Sequence, residues 1–187
     1  MKKVKDGEYL YIPNYFSENE CVYIFTTLLE EIRWKQEPIL LFGKKVLTPR
    51  LTAWYGEKSY AYSGRIFHPQ AWTNTLIEIK KRIEKTIPIN FNSVLLNRYR
   101  NGNDSVAWHA DNEKELGINP VIASVSFGAT RNFKLRHLQT KETIELLLSN
   151  GSLLIMQGAL QHHWQHQIPK TKKIVGERIN LTFRVIQ

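Results

Sequence analysis

SVLLNRY (93–99), VIASVSF (121–127), NFKLRHL (132–138), ETIELLLS (142–149), GSLLIMQ (151–157) and INLTFRVI (179–186) are the segments whose reading decides the fold. Each is short and rich in Val, Ile, Leu, Phe or Thr, and Asn-Gly at 101–102 and 150–151 and Gly128 punctuate them, which is the pattern of strands joined by turns. Two earlier stretches, PILLFGKKVLTPRLTAWYG (38–56) and SYAYSGRIF (59–67), also read as strands, with Phe42 to Lys45 as a hairpin tip. Helical periodicity is confined to the first half. Ser17-Glu18-Asn19-Glu20 has the Ser-x-x-Glu form that satisfies free amides at a helix start, and it predicts a helix over about 18–32 with Val22, Phe25, Leu29 and Ile32 on one face. A second helix is expected over about 71–85, where Trp72, Leu76, Ile79 and Ile83 recur at helical steps and Lys80, Lys81 and Lys85 form a solvated face. Six or more strands after two helices predict a mainly β chain with flanking helices, an α+β arrangement of jelly-roll topology.

The whole chain has 187 residues, 42% hydrophobic and 11% aromatic, which is too apolar for a disordered chain and is the length of one domain. One cysteine, Cys21, excludes an intrachain disulfide framework and a Cys-based zinc cluster, as expected of a reducing compartment. No run of 18 apolar residues suggests a membrane span, and the first residues lack the apolar core of a secretion signal, so a cytoplasmic or otherwise intracellular protein is expected. A formal charge of +9 favours a polyanionic partner.

Three polar features stand apart from this scaffold. His109-Ala110-Asp111 places an imidazole and a carboxylate two residues apart, on the same side of an extended chain. His162-His163-Trp164-Gln165-His166 follows some fifty residues later, and one of its histidines would complete two His and one carboxylate, a facial set that suits Fe(II). A lone His-x-Asp usually forms a solvated turn, and the histidine cluster reads equally as a zinc site or a polar loop; His68 and His137 read as surface or structural. The third feature raises the metal reading. Arg178, Asn180, Thr182 and Arg184 alternate with Ile179, Leu181, Phe183 and Val185, so one strand face is apolar and the other carries two guanidiniums. Facing outward they would be solvated; lining a barrel they need an anion, and a small dicarboxylate would supply it.

The ordered set Asn97-x-Tyr99, His109-x-Asp111, Ser126-Phe127-Gly128-Ala129, Gly151-Ser152-Leu153-Leu154, His163-Trp164-x-His166 and Arg178-x-Asn180-Leu181-Thr182-Phe183-Arg184 closely resembles the AlkB family of Fe(II)/2-oxoglutarate-dependent dioxygenases. Pro49-Arg50-Leu51-Thr52-Ala53-Trp54-Tyr55-Gly56 and Tyr60-Ala61-Tyr62-Ser63-Gly64 are similar to the members that act on alkylated DNA. The resemblance runs in order over about 35–187. It implies a double-stranded β-helix core over 93–187, nucleotide-recognition hairpins over 35–66 and an N-terminal extension and helix over 1–34. It also implies Fe(II), 2-oxoglutarate and O2, with His109, Asp111 and His166 as catalytic iron ligands and His163 a neighbour. Arg184 is expected on the distal carboxylate of 2-oxoglutarate, with Arg178, Asn97, Tyr99 and Thr182 completing that site. Tyr62 would stack on a flipped base, Phe42 would fill the gap left in a duplex, and Arg50 with Lys170, Lys172 and Lys173 would meet the nucleic-acid backbone. Where DNA-repair members often carry a second acid after the ligand carboxylate, this chain has Asn112 and then Glu113, both on the expected nucleic-acid side.

The implied activity is oxidative demethylation of N-alkylated bases such as N1-methyladenine and N3-methylcytosine, releasing formaldehyde, by a monomer that acts on DNA or RNA and not at a membrane, nuclear if the cell is eukaryotic. The residues alone also admit Tyr62, Trp54 and Tyr55 as core aromatics, Phe42 as a buried hairpin residue and the cations as solvated charges. An enzyme of the same fold acting on RNA, protein or a small molecule stays open, as does a non-catalytic nucleic-acid binding module.

Overall fold

The computed structural model describes residues 1–41, 44–58, 60–62, 65–67 and 69–187, with no side-chain description over 39–41, at 44, or over 60–62 and 65–67. The chain begins with two strands, β1 (Lys2–Val4) and β2 (Gly7–Ile12), and a helix, α1 (Glu18–Glu31). Strands β3 (Pro38–Leu41), β4 (Lys44–Leu47), β5 (Leu51–Gly56), β6 (Tyr60–Tyr62) and β7 (Arg65–Phe67) lead to α2 (Asn74–Thr86). There follow β8 (Ser93–Tyr99), β9 (Val106–His109), β10 (Ile122–Gly128), β11 (Arg131–His137), β12 (Thr143–Leu148) and β13 (Ser152–Gln157). A one-turn helix, α3 (Leu160–His163), then β14 (Trp164–Ile168) and β15 (Arg178–Arg184) complete the order.

Two antiparallel sheets are stacked. One has seven strands in the order β1-β2-β13-β10-β15-β8-β5 and the other four in the order β12-β11-β14-β9, while β3-β4 and β6-β7 are separate hairpins. Alternation along β15 explains how the larger sheet serves two layers, since Ile179, Leu181 and Phe183 join the cluster under α1 and α2 and the polar residues between them face the smaller sheet. Between the sheets a second cluster gathers Tyr9, Tyr99, Ile122, Phe133, Leu135, Leu154, Met156 and Trp164. Each large side chain so buried contributes roughly 1.5–3 kcal/mol. The expected mainly β architecture with flanking helices is present, and none of its described helices is long and apolar enough to cross a membrane.

Ser17 caps α1 as expected, accepting from the Glu20 amide at 3.4 Å while Glu20 reaches back to the Ser17 amide at 2.8 Å. The buried stripe of α1 is Cys21, Ile24 and Leu28 rather than the expected set led by Val22, which is 65% exposed. Counting Cys21 as apolar turns the face by one residue, and Phe25 and Leu29 become its half-buried flank. The second helix begins later than expected because Thr73 accepts from the Leu76 amide as its cap, so Trp72 lies before it and stacks on Phe183. Gly151, at φ +69°, feeds β13 beneath the start of α1; a Cβ there would meet Cys21 Sγ at 2.5 Å and the Phe16 carbonyl oxygen at 2.7 Å.

Candidate active site

A cavity of about 880 Å³ opens between the two sheets, walled by β5, β8, β10 and β15 on one side and β9, β11 and β14 on the other. At one end β9 and β14 run antiparallel with His109 opposite His166, and their rings lie 4.2 Å apart between centroids. Asp111 follows two residues after His109 and its backbone N–H donates to the Gln161 side chain at 3.0 Å, which pins the loop at this point. The ligating atoms of His109, Asp111 and His166 all fall within 4.8 Å of one another.

The protonation of these three groups is set by their surroundings. Burial alone would raise the Asp111 carboxyl, but the neighbouring Arg184 guanidinium outweighs it and holds the group at about 2. Burial, reinforced by His109, brings His166 down to about 3, so it is neutral at physiological pH. His109 Nδ1 lies 2.8 Å from the Ala107 carbonyl oxygen, which assigns its proton to that nitrogen and leaves a lone pair on Nε2. His166 Nδ1 is buried without a hydrogen-bond partner among the described residues. Two imidazoles and one ionised carboxylate, converging from adjacent chain segments, are a donor set that fits Fe(II) with positions left over.

A second group of the same composition does not have this character. Asp6, His137 and His163 also converge within 4.8 Å, but His137 Nδ1 accepts from the amides of Gln139 and Thr140 at 3.2 and 3.1 Å. Its proton therefore sits on Nε2, which donates to Asp6 at 3.0 Å, so no lone pair is offered. The group clamps the β1–β2 turn to β11, helped by the bond from Trp164 Nε1 to the Lys5 carbonyl. His163 belongs to this clamp rather than to the cavity.

The polar face of β15 lines the cavity, which decides between its two readings: Arg178, Asn180, Thr182 and Arg184 are all buried, at 1–8% exposure. Arg184 Nη2 donates to Asp111 Oδ1 at 2.9 Å, a buried ion pair. This contact sets the Arg184 guanidinium against the acid of the His/Asp/His group. Arg178 occupies the opposite end of the strand. Its Nη2 donates to Ser126 at 2.9 Å, Tyr99 lies 5.1 Å from the guanidinium, and Nε and Nη1 are buried with no partner among the described residues. Burial pushes this arginine down to about 10. Thr182 donates to Asn180, whose amide nitrogen bonds Ser124 and the Val125 carbonyl.

Arg50 lines the cavity and donates through Nε to Asn97 Oδ1 at 2.7 Å. That bond takes up the Asn97 oxygen and turns its NH2 group the other way, so Arg50 acts as a positioning residue. Gln161 and Arg50 are the two contributors to site geometry that the sequence did not single out for this purpose; both are polar residues buried or half-buried beside a motif. Asn112 is exposed and outside the cavity lining, whereas Glu113 lines it. Lys170, Lys172 and Lys173 are exposed, and Lys170 reaches the rim. Trp54 is buried along the cavity wall and Tyr55 is a core residue. Phe42, His68 and the Tyr62 side chain lie outside the described residues.

Comparison with known proteins agrees with this geometry. The profile of the 2OG-Fe(II) oxygenase superfamily matches residues 8–184. Human alpha-ketoglutarate-dependent dioxygenase alkB homolog 3 is 41% identical over 184 residues, covering 93% of this chain, and the chain spans 64% of that relative's length. Human DNA oxidative demethylase ALKBH2 is 36% identical over 184 residues, covering 91% of this chain and 70% of the relative. Among solved structures, that titled the structure of OsALKBH1 superposes with a TM-score of 0.70 at 14% identity over 94% of this chain and 97% of the other, a likeness of fold. The chain belongs to the 2OG-Fe(II) oxygenase superfamily and, within it, to the AlkB family.

Proposed function

We propose that this protein is an oxidative demethylase of N-alkylated bases in DNA. The observation that carries the reading is one cavity in which a buried His/Asp/His group and a buried arginine, two of whose nitrogens have no partner among the described residues, face the same space. Members of the superfamily use Fe(II), 2-oxoglutarate and O2. When bound, these supply oxidation of the N-methyl carbon, coupled to conversion of 2-oxoglutarate to succinate and carbon dioxide, after which the hydroxylated methyl group leaves as formaldehyde.

The protein's own residues have separable parts in this. His109, Asp111 and His166 would hold the iron, with Arg184 fixing the Asp111 carboxylate and Gln161 its backbone. Arg178, with Tyr99 beside it, would grip the distal carboxylate of 2-oxoglutarate through its two unpartnered N–H groups, a planar charged fork that suits a carboxylate. The NH2 group of Asn97, oriented by Arg50, would donate to the same co-substrate, and Thr182 shapes the wall between the two ends. A base must leave its stack to reach this cavity, at a cost of roughly a few kcal/mol that is smallest for a lesion already unable to pair. Tyr62 as the stacking ring, Phe42 as the duplex wedge and the lysines at 170, 172 and 173 as phosphate contacts are further parts of this proposal. So are the double-stranded β-helix topology of the stacked sheets and the action of 1–187 as one domain. The test is mass spectrometry of methylated oligonucleotides, single and double stranded, DNA and RNA, incubated with Fe(II), 2-oxoglutarate and ascorbate. Formaldehyde release with a methyl loss from DNA supports the reading; co-substrate consumption with no loss from any oligonucleotide overturns it.

A further inference from the structure

Arg131, on β11, is a buried cation that does not line the cavity. Its Nη1 donates to the Asn101 carbonyl at 3.1 Å, and its Nη2 donates to the carbonyls of Asp104 and Pro169 at 2.9 and 2.7 Å. Three carbonyls from two chain segments thus hold the guanidinium in one place. The segments pack closely, since a Cβ on Gly102 would meet the Thr171 carbonyl oxygen at 2.4 Å. Carbonyls accept hydrogen bonds without bringing a full negative charge, so the charge of this guanidinium still has to be answered. The Asp104 carboxylate attracts it, yet both carboxylate oxygens already accept from Arg100, at 2.8 and 2.9 Å. On the cavity side, the Tyr99 ring lies 5.6 Å from the Arg131 guanidinium and 5.1 Å from that of Arg178. Burial, and in smaller measure the charge of Arg131, depress Arg178 to about 10. Asp104 is therefore divided between Arg100 and Arg131, and a positive excess remains beside the two Arg178 nitrogens that lack a partner among the described residues.

We propose that Arg131 and Asp104 together set the affinity of the Arg178 end of the cavity for a dicarboxylate, Arg131 as a fixed cation that strengthens it and Asp104 as a carboxylate that tempers it, neither touching the ligand. This rests on the demethylase reading above, which names the dicarboxylate as 2-oxoglutarate. Unit charges on the order of 10 Å apart in a protein attract strongly enough to change affinity about tenfold. Arg131 and Asp104 are both buried, so dissolved salt screens them little. The carbonyl cradle matters because a cation that cannot swing toward water keeps its field on the cavity.

The experiment titrates 2-oxoglutarate into the Fe(II)-loaded protein under nitrogen by isothermal calorimetry, beside Fe(II) affinities and thermal melts. Arg131→Gln removes the charge and is expected to raise the Kd for 2-oxoglutarate about tenfold, and the KM with it, at unchanged Fe(II) affinity. Arg131→Lys keeps the charge and should stay within about threefold of wild type. Asp104→Asn keeps the backbone carbonyl that binds Arg131 and removes the tempering charge, so 2-oxoglutarate should bind about twofold more tightly or better. Structural damage weakens binding in every variant; opposite signs for Arg131→Gln and Asp104→Asn arise only from charge. An unchanged affinity in Arg131→Gln, an equal loss in Arg131→Gln and Arg131→Lys, or an unchanged or weaker affinity in Asp104→Asn overturns the proposal. If Arg131→Gln does not fold, Arg131→Lys and Asp104→Asn decide alone. Wild type that binds no 2-oxoglutarate overturns the demethylase reading and this proposal with it, whereas normal wild-type binding with the wrong signs in the variants overturns the proposal alone.

Discussion

Arg178 and Arg184 stand on one face of one strand, share a charge and are similarly buried, yet their surroundings differ. Arg184 ends against a carboxylate of the protein, while Arg178 ends in a space where two of its N–H groups meet no described residue. A guanidinium brought out of water is tolerated only when its charge is answered. At one end of the strand the answer is built in; at the other it has to be brought by a ligand. The comparison teaches that the cavity is already neutralised where a metal would sit and still cationic where the co-substrate would end.

The sharpest way to break this contrast is to remove the carboxylate. Asp111→Ala takes a ligand from the three-donor group and removes the carboxylate that faces the buried Arg184 guanidinium, so turnover should vanish and stability should fall by about 3–5 kcal/mol. Formaldehyde assays and a denaturant melt check it, and an unchanged melt would mean that Arg184 relaxes into water. Next in size is the exchange of each arginine for lysine. Arg178→Lys should raise the apparent KM for 2-oxoglutarate by about tenfold or more with iron affinity retained, whereas Arg184→Lys should weaken iron binding by about tenfold. Parallel titrations with 2-oxoglutarate and Fe(II) separate the two, and a reversed pattern would return the distal carboxylate to Arg184.

Another arginine–carboxylate pair extends the contrast to pH. Burial would raise the Asp104 carboxyl, but hydrogen bonds from Arg100 at 2.8 and 2.9 Å outweigh it and hold the group below its ordinary value. A carboxyl lowered in the folded state stabilises above its unfolded pKa and loses that contribution as pH falls through the folded value. Asp104→Asn should therefore cost about 1–3 kcal/mol at neutral pH, and the difference from wild type should narrow below about pH 4, as urea melts across pH would show. The smallest effect belongs to cations in water. Replacing Lys170, Lys172 and Lys173 by glutamine should leave stability within about 0.5 kcal/mol, and the log–log salt dependence of duplex DNA binding should flatten by about 0.9 for each phosphate no longer neutralised.

Much of this arrangement is visible in the amino-acid order. β8 coincides with the SVLLNRY segment, and the alternation along β15 foretells one apolar and one polar face. The strands that carry the imidazoles are harder to see. β14 reads Trp-Gln-His-Gln-Ile and β9 Val-Ala-Trp-His, short segments in each of which a histidine takes a place that an aliphatic would fill in a strand announced by its sequence. The differing surroundings of the two arginines are hidden for a related reason: spacing places both on one face, and only the registry of β9 and β14 reveals which end lies near Asp111. Glu113 and Gln161 have no periodic signature at all, since what distinguishes them is burial by distant parts of the chain.

The clamp that joins the β1–β2 turn to β11 and β14 has a consequence in time. Lys5 and Trp164 bond across 159 residues of sequence, Asp6 and His137 across 131, and β2 pairs with β13. Non-local closures of this kind slow folding into the range of roughly milliseconds to seconds. During synthesis the β1–β2 hairpin has to wait, with one edge of β2 unpaired, until β13 emerges, and β15, made later still, brings both arginines of the cavity. The chain therefore acquires its capacity to bind an anion only once β15 has been made, and until β13 is made β2 exposes an unpaired edge of the kind that favours aggregation.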